Sequence, residues 1–244
     1  DDLSSKVEKI REEEARKHAE LKEQEAYYES ALKPVMLRAH NYFEEVVESL
    51  NIIQPNISVK YPLDPSKFKA VTLKQEDYFF RSDNSKHPRQ IDILAHCTLD
   101  REKEFYVPTM DGASNLSDLL NEYQFPHHRK NKLDQSYNVR GATFILEGPM
   151  KVHIRFTANS ADKCINILLR NLEAQPTKRY QFEPERVDDE LLERLANMLI
   201  REESKLVEVE LSDALRRELQ HQIEAAKREK AEDLAKAYEE IEVA

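Results

Sequence analysis

The run Gln90-Ile91-Asp92-Ile93-Leu94-Ala95-His96-Cys97-Thr98-Leu99 decides the fold class of this chain. In an extended strand, alternation places Ile91, Ile93, Ala95 and Cys97 on one face and Asp92, Leu94 and His96 on the other. Residues 151–158 repeat the pattern, with Val152, Ile154, Phe156 and Ala158 opposite Lys151, His153, Arg155 and Thr157. One dry and one wet face is the signature of a half-buried antiparallel sheet.

Outward from these runs, period-two segments fill the region between Asn56 and Phe182. The expected strands are 57–61, 70–73, 77–81, 90–99, 104–107, 139–147, 151–158, 164–172 and 177–182. The last four are joined by short links, Gly148-Pro149 among them, and are expected to form an antiparallel meander. A helix over Leu116–Tyr123, capped by Asn115 or Ser114, interrupts the series. The polar stretch Pro126–Tyr137 reads as an exposed loop.

Amphipathic helices flank the strands. After Pro34, the residues Val35, Ala39, Tyr42, Phe43, Val46, Val47 and Leu50 share a stripe; after Pro184, Leu191, Leu192, Leu195, Met198 and Leu199 share another. The expected fold is therefore α+β: an antiparallel sheet of about 6–8 strands, covered on one face by these two helices.

Beyond them lie two charged helical arms. The division reads as an N-terminal arm (1–33), a sheet domain (34–204) and a C-terminal arm (205–244). Pro34 is expected to interrupt or kink the first arm, because the residue before a proline is pushed from helical dihedrals. The first arm's apolar seam is Val7, Ile10, Leu21 and Tyr28; the second arm's is Leu215, Leu219, Ile223, Leu234 and Tyr238. Polar residues interrupt both seams, so each arm is marginal alone and adequate when paired with another helix.

The arms also carry the net charge of −10. Residues 1–33 hold 7 basic and 10 acidic side chains and residues 184–244 hold 10 and 18, which leaves 20 basic and 19 acidic in the centre. An acidic arm repels nucleic acid and anionic lipid, so nucleic acid is disfavoured as a partner. Three separated glycines assemble no phosphate-binding loop, and neither a cofactor nor a metal is expected. Cys97 and Cys164 sit in apolar strand-like runs and read as reduced core thiols. No run reaches the ~20 apolar residues of a membrane helix, and no signal-peptide pattern is present. The chain is read as cytoplasmic, although it starts at Asp1 without a methionine, which leaves room for an upstream anchor or domain.

Two constellations carry potential chemistry. If the strands stack with their wet faces together, Asp92, His96, His153 and Arg155 converge, with Asn166 and Arg170 nearby; such a group suits acid–base work or anion binding. His127, His128, Arg129, Lys130 and Lys132 form the one dense basic cluster, flanked by Tyr123, Phe125 and Tyr137, and suit phosphate contacts. The leading expectation is a non-catalytic assembly or interaction subunit that binds a protein partner or a second copy through its arms. Ligand binding or catalysis on the polar sheet face is the alternative, and nucleic-acid binding through residues 126–137 a second one.

Overall fold

The structure, a computed structural model, describes residues 2–64, 69–133, 139–173 and 175–206. The expected C-terminal seam from Leu215 to Tyr238 lies outside the described residues, as does the side chain of Val7.

The chain is α+β. It opens with helix α1 (Asp2–Tyr27), passes through a π-helical turn (Tyr28–Leu32), and continues into α2 (Lys33–Ile53). Pro34 does not interrupt this run: Lys33 keeps helical dihedrals, φ −59° and ψ −43°. The widened turn supplies the reason. The Lys33 N–H donates to the Tyr28 carbonyl, five residues back, which opens the helix where the proline ring would otherwise strike the carbonyl of the preceding turn. Tyr28 and Leu32 are fully buried, so the π turn belongs to the body of the protein.

Among the described residues nine strands follow: β1 (Ile57–Asp64), β2 (Lys69–Ser82), β3 (Gln90–Thr98), β4 (Lys103–Val107), β5 (His127–Leu133), β6 (Val139–Leu146), β7 (Met150–Asn159), β8 (Cys164–Arg170) and β9 (Thr177–Phe182). They form two antiparallel sheets, one of six strands in the order β1-β2-β3-β7-β8-β9 and one of three in the order β4-β6-β5. The expected four-strand meander is thus corrected to three, β7-β8-β9. Strand β6 belongs to the smaller sheet, because the link at Gly148 (φ 77°) takes a left-handed conformation and carries the chain from one sheet to the other.

Two expected strands, 70–73 and 77–81, are one strand. β2 runs through Lys74, Gln75 and Glu76, with an irregularity between Glu76 and Phe79 where Asp77 adopts φ 53°. Its central Gln75 is fully buried, with its amide donating to the Leu199 carbonyl at 2.6 Å. The expected loop at 126–137 is also corrected, since residues 127–133 form edge strand β5 paired with β6. Lacking an apolar face of its own, this strand gives no hydrophobic alternation to read. A row of cations on an edge strand is also a deterrent to unwanted strand pairing.

The intervening helix α3 is longer than expected, Met110–Glu122, and is capped by Thr109, whose Oγ1 accepts from the Gly112 N–H at 3.2 Å. Ser114 and Asn115 lie inside it. The last described helix, α4 (Asp189–Leu199), is capped by Asp188, whose carboxylate accepts from the Leu191 N–H at 2.9 Å.

The core lies on the face of the large sheet that carries Ile91, Ile93, Ala95, Val152, Ile154 and Phe156, all fully buried. Helix α2 packs there against β2, β3 and β7, with Phe43 lying 5.6 Å from Phe156 between ring centroids, and it also touches α4.

Candidate functional site

Register places the side chains on the opposite face of the large sheet. Asp92 on β3 pairs directly with Arg155 on β7, and Leu94 pairs with His153. Residues directly opposite in an antiparallel pair project from the same face, so Asp92, His153 and Arg155 meet. One carboxylate oxygen of Asp92, Oδ1, accepts from His153 Nε2 and from Arg155 Nε, each at 2.6 Å; the other, Oδ2, accepts from Gln90 Nε2 at 2.8 Å.

These contacts fix the charge states. Burial alone pushes the Asp92 carboxyl up, but the hydrogen bonds from Arg155, His153 and Gln90 outweigh it and hold the group below the usual carboxylate range. For His153, burial pushes the imidazole down; the Asp92 carboxylate opposes this, while Arg155 and Arg170 add to the depression, and the net shift is downward. At neutral pH a neutral imidazole therefore donates its Nε2 proton to a fully ionised carboxylate. A carboxylate already holding three donors is a poor proton acceptor near neutrality.

His96 stands apart from the trio. It pairs in register with Lys151 and Glu76, its Nδ1 lies 3.8 Å from Asp77 Oδ2, and its ring is 5.2 Å from that of Phe79. Asn166 is placed opposite Thr157, and Arg170 opposite His153, with Arg170 Nη1 donating to Gln124 Oε1.

The basic cluster of β5 is divided by its strand geometry. His127 and Arg129 lean toward Phe144, at 6.0 Å between rings and 5.8 Å from guanidinium carbon to ring. His128 pairs with Glu147 at 2.5 Å, and Lys132 lies over Tyr106 at 5.0 Å. Lys130 is exposed. The five residues therefore do not form a single surface.

One buried polar network gave no signal in the sequence. Arg201, just beyond α4, donates from Nε to Gln75 Oε1 at 2.9 Å, from Nη2 to the Tyr61 hydroxyl at 2.7 Å and the Asn171 carbonyl at 2.9 Å, and from Nη1 to the Leu172 carbonyl at 3.3 Å. All these acceptors are neutral. Burial raises the Tyr61 hydroxyl well above its usual range and raises the Cys97 thiol, so both stay protonated at neutral pH. Cys97 and Cys164 are both free and buried. The residues of this network are scattered from 61 to 201, and no local pattern joins them.

The N-terminal arm is the most exposed element. Every residue from Glu8 to Glu23 is exposed, including Ile10 at 56% and Leu21 at 63%. Its last turns are tied down: Glu23 pairs with Lys163 at 3.3 Å, Glu25 with Arg89 at 2.5 Å, and Glu29 with His87 at 3.1 Å. Tyr28, expected on the arm's apolar seam, is buried and anchors the arm to the body. Its hydroxyl donates to the Pro88 carbonyl at 3.1 Å and the Arg89 guanidinium lies 3.9 Å over its ring.

Among the described residues, no group of three His, Cys, Asp or Glu side chains is placed to hold a metal ion, and no helix is long and apolar enough to cross a membrane. No family model, no curated protein and no solved structure matches the chain.

Proposed function

We propose that the protein is a non-catalytic assembly subunit, which associates through α1 with a helix of a second copy or of another protein. One observation carries this reading: a helix continuous with the core helix α2 leaves 16 consecutive residues, 8–23, solvated on every side. An isolated helix of that length is marginal in water, because nucleation is costly and most helical stability comes from packing an apolar face. The arm mixes charges of both signs along its length, which suits pairing with another helix better than contact with a polyanion.

The Pro34 region supports the same reading. The helix runs without a break from arm to core and is held at the buried Tyr28 and Leu32, so a partner on the arm would be joined to the sheet domain through continuous helix. The C-terminal seam, Leu215 to Tyr238, is proposed as a second association surface on its sequence pattern alone. Substituting Ile10 and Leu21 by Glu tests the proposal: association measured by light scattering is expected to weaken while the thermal midpoint of the body stays unchanged. Undiminished association would sink it.

A further inference from the structure

The face of the large sheet opposite α2 is basic on an otherwise acidic chain. Register assigns it two cross-strand rows, Arg81–Asp92–Arg155–Leu168–Arg179 and Phe79–Leu94–His153–Arg170–Thr177. With Lys151 opposite His96, Lys74 opposite Thr98 and Lys60 opposite Thr72, three lysines join the four arginines on this face, which also carries the carboxylates of Asp92, Glu76 and Asp77. Each of these carboxylates faces a donor or cation: Asp92 faces His153 and Arg155, Glu76 faces Lys74 at 2.8 Å and Thr98 at 2.7 Å, and Asp77 faces the His96 ring at 3.8 Å.

Arg81, Lys151 and Arg179 are exposed and have no acidic partner among the described residues. Arg170 meets only the neutral Gln124, and its Nε is buried without a partner. Arg81, Arg155 and Arg179 stand two strands apart in turn, about 10 Å each at the usual strand spacing. An aromatic ring completes the face: Phe79 is 41% exposed, two residues from Arg81 on the same side of β2, with the His96 ring 5.2 Å away.

We propose that this sheet face binds single-stranded nucleic acid, with Arg81, Arg179 and Lys151 on phosphates and Phe79 stacking on a base. One ring and one guanidinium side by side on β2, Phe79 and Arg81, can meet a base and its neighbouring phosphate together, and every base offers a stacking face. An acidic peptide would satisfy the cations but leave the ring without a purpose. The acidic charge that disfavours nucleic acid lies in the arms, whereas the centre is balanced.

The test is fluorescence anisotropy of the full chain with labelled oligo(dT), labelled oligo(U), a duplex of equal length and a poly-glutamate peptide. Binding to one or both single strands is expected, tighter than to duplex, with a log–log salt slope of roughly −2 to −4. Arg81→Glu combined with Arg179→Glu should weaken it at least tenfold, and Phe79→Ala by roughly 5- to 100-fold. All three positions are exposed, so an unchanged thermal midpoint certifies the fold. Lys130→Glu with Lys132→Glu on β5 should change little. Four results would each overturn the proposal: no binding at low salt, binding lost on the β5 changes instead, equal affinity for duplex without dependence on Phe79, or capture of poly-glutamate in preference to nucleic acid.

Discussion

His153 and Arg155, two residues apart on β7, both donate to the same oxygen of Asp92 at 2.6 Å. The side chains belong to a cross-strand set in which one carboxylate neutralises a cation and orients an imidazole. Removing the acceptor is the informative change. Asp92→Ala leaves a half-buried guanidinium and the largely buried His153 donor without their acceptor, and should cost about 1–3 kcal/mol in urea denaturation. Asp92→Asn keeps an acceptor oxygen and should cost less.

The same pair predicts a pH dependence. His153 is depressed below its unfolded value, so the unfolded chain takes up a proton first as pH falls. Its contribution to stability is therefore intact above about pH 6.5 and is lost progressively as pH drops toward the lower folded value. Asp92 is likewise depressed, and its contribution is lost only below about pH 4. Thermal midpoints measured from pH 7.5 to 5 should fall, and His153→Gln should flatten that part of the curve.

Tyr28 carries the attachment of the arm. Ion pairs such as Glu23–Lys163 and Glu25–Arg89 are largely exposed and screened by solvent, whereas Tyr28 is fully buried. Tyr28→Ala should destabilise the protein by about 3–5 kcal/mol. Tyr28→Phe, which loses only the bond to the Pro88 carbonyl, should cost about 1 kcal/mol.

Arg201 supports the end of α4 against β1 and β2. Arg201→Ala leaves the buried Gln75 Oε1 without this donor and should cost about 1–3 kcal/mol in the same denaturation assay. Arg201→Lys should rescue little of it, since an ammonium cannot span acceptors on Gln75, Tyr61 and Asn171 with a planar fork.

The antiparallel sheet was legible where one of its faces is dry. In Gln90–Leu99 the buried residues alternate without exception from Ile91 to Cys97, and hydrophobicity records that directly. Legibility failed where polarity and burial part company. Gln75 occupies a core position, which split β2 in the reading of the sequence, and β5 is an edge strand built of cations, which concealed it. Helix continuity through Pro34 depends on a π turn, whose hydrogen bonding has no residue signature. For the polar face, alternation named the residues and register brought three of them together, but the separation of His96 and the row from Arg81 to Arg179 depend on strand order. Pairing between residues 81 and 92, or 155 and 168, is a long-range choice that local patterns do not encode.

The most direct test of the proposed assembly role is the molar mass of the full chain by light scattering, measured across concentration alongside hydrogen exchange of residues 8–23. Association through the arm should give a mass that rises above the 28.6 kDa of one chain, alone or on addition of a helical partner, with protection of residues 8–23 rising in step. A mass of one chain at every concentration, with residues 8–23 fully protected in that monomer, would contradict it, because the arm would then be a stable helix that needs no partner.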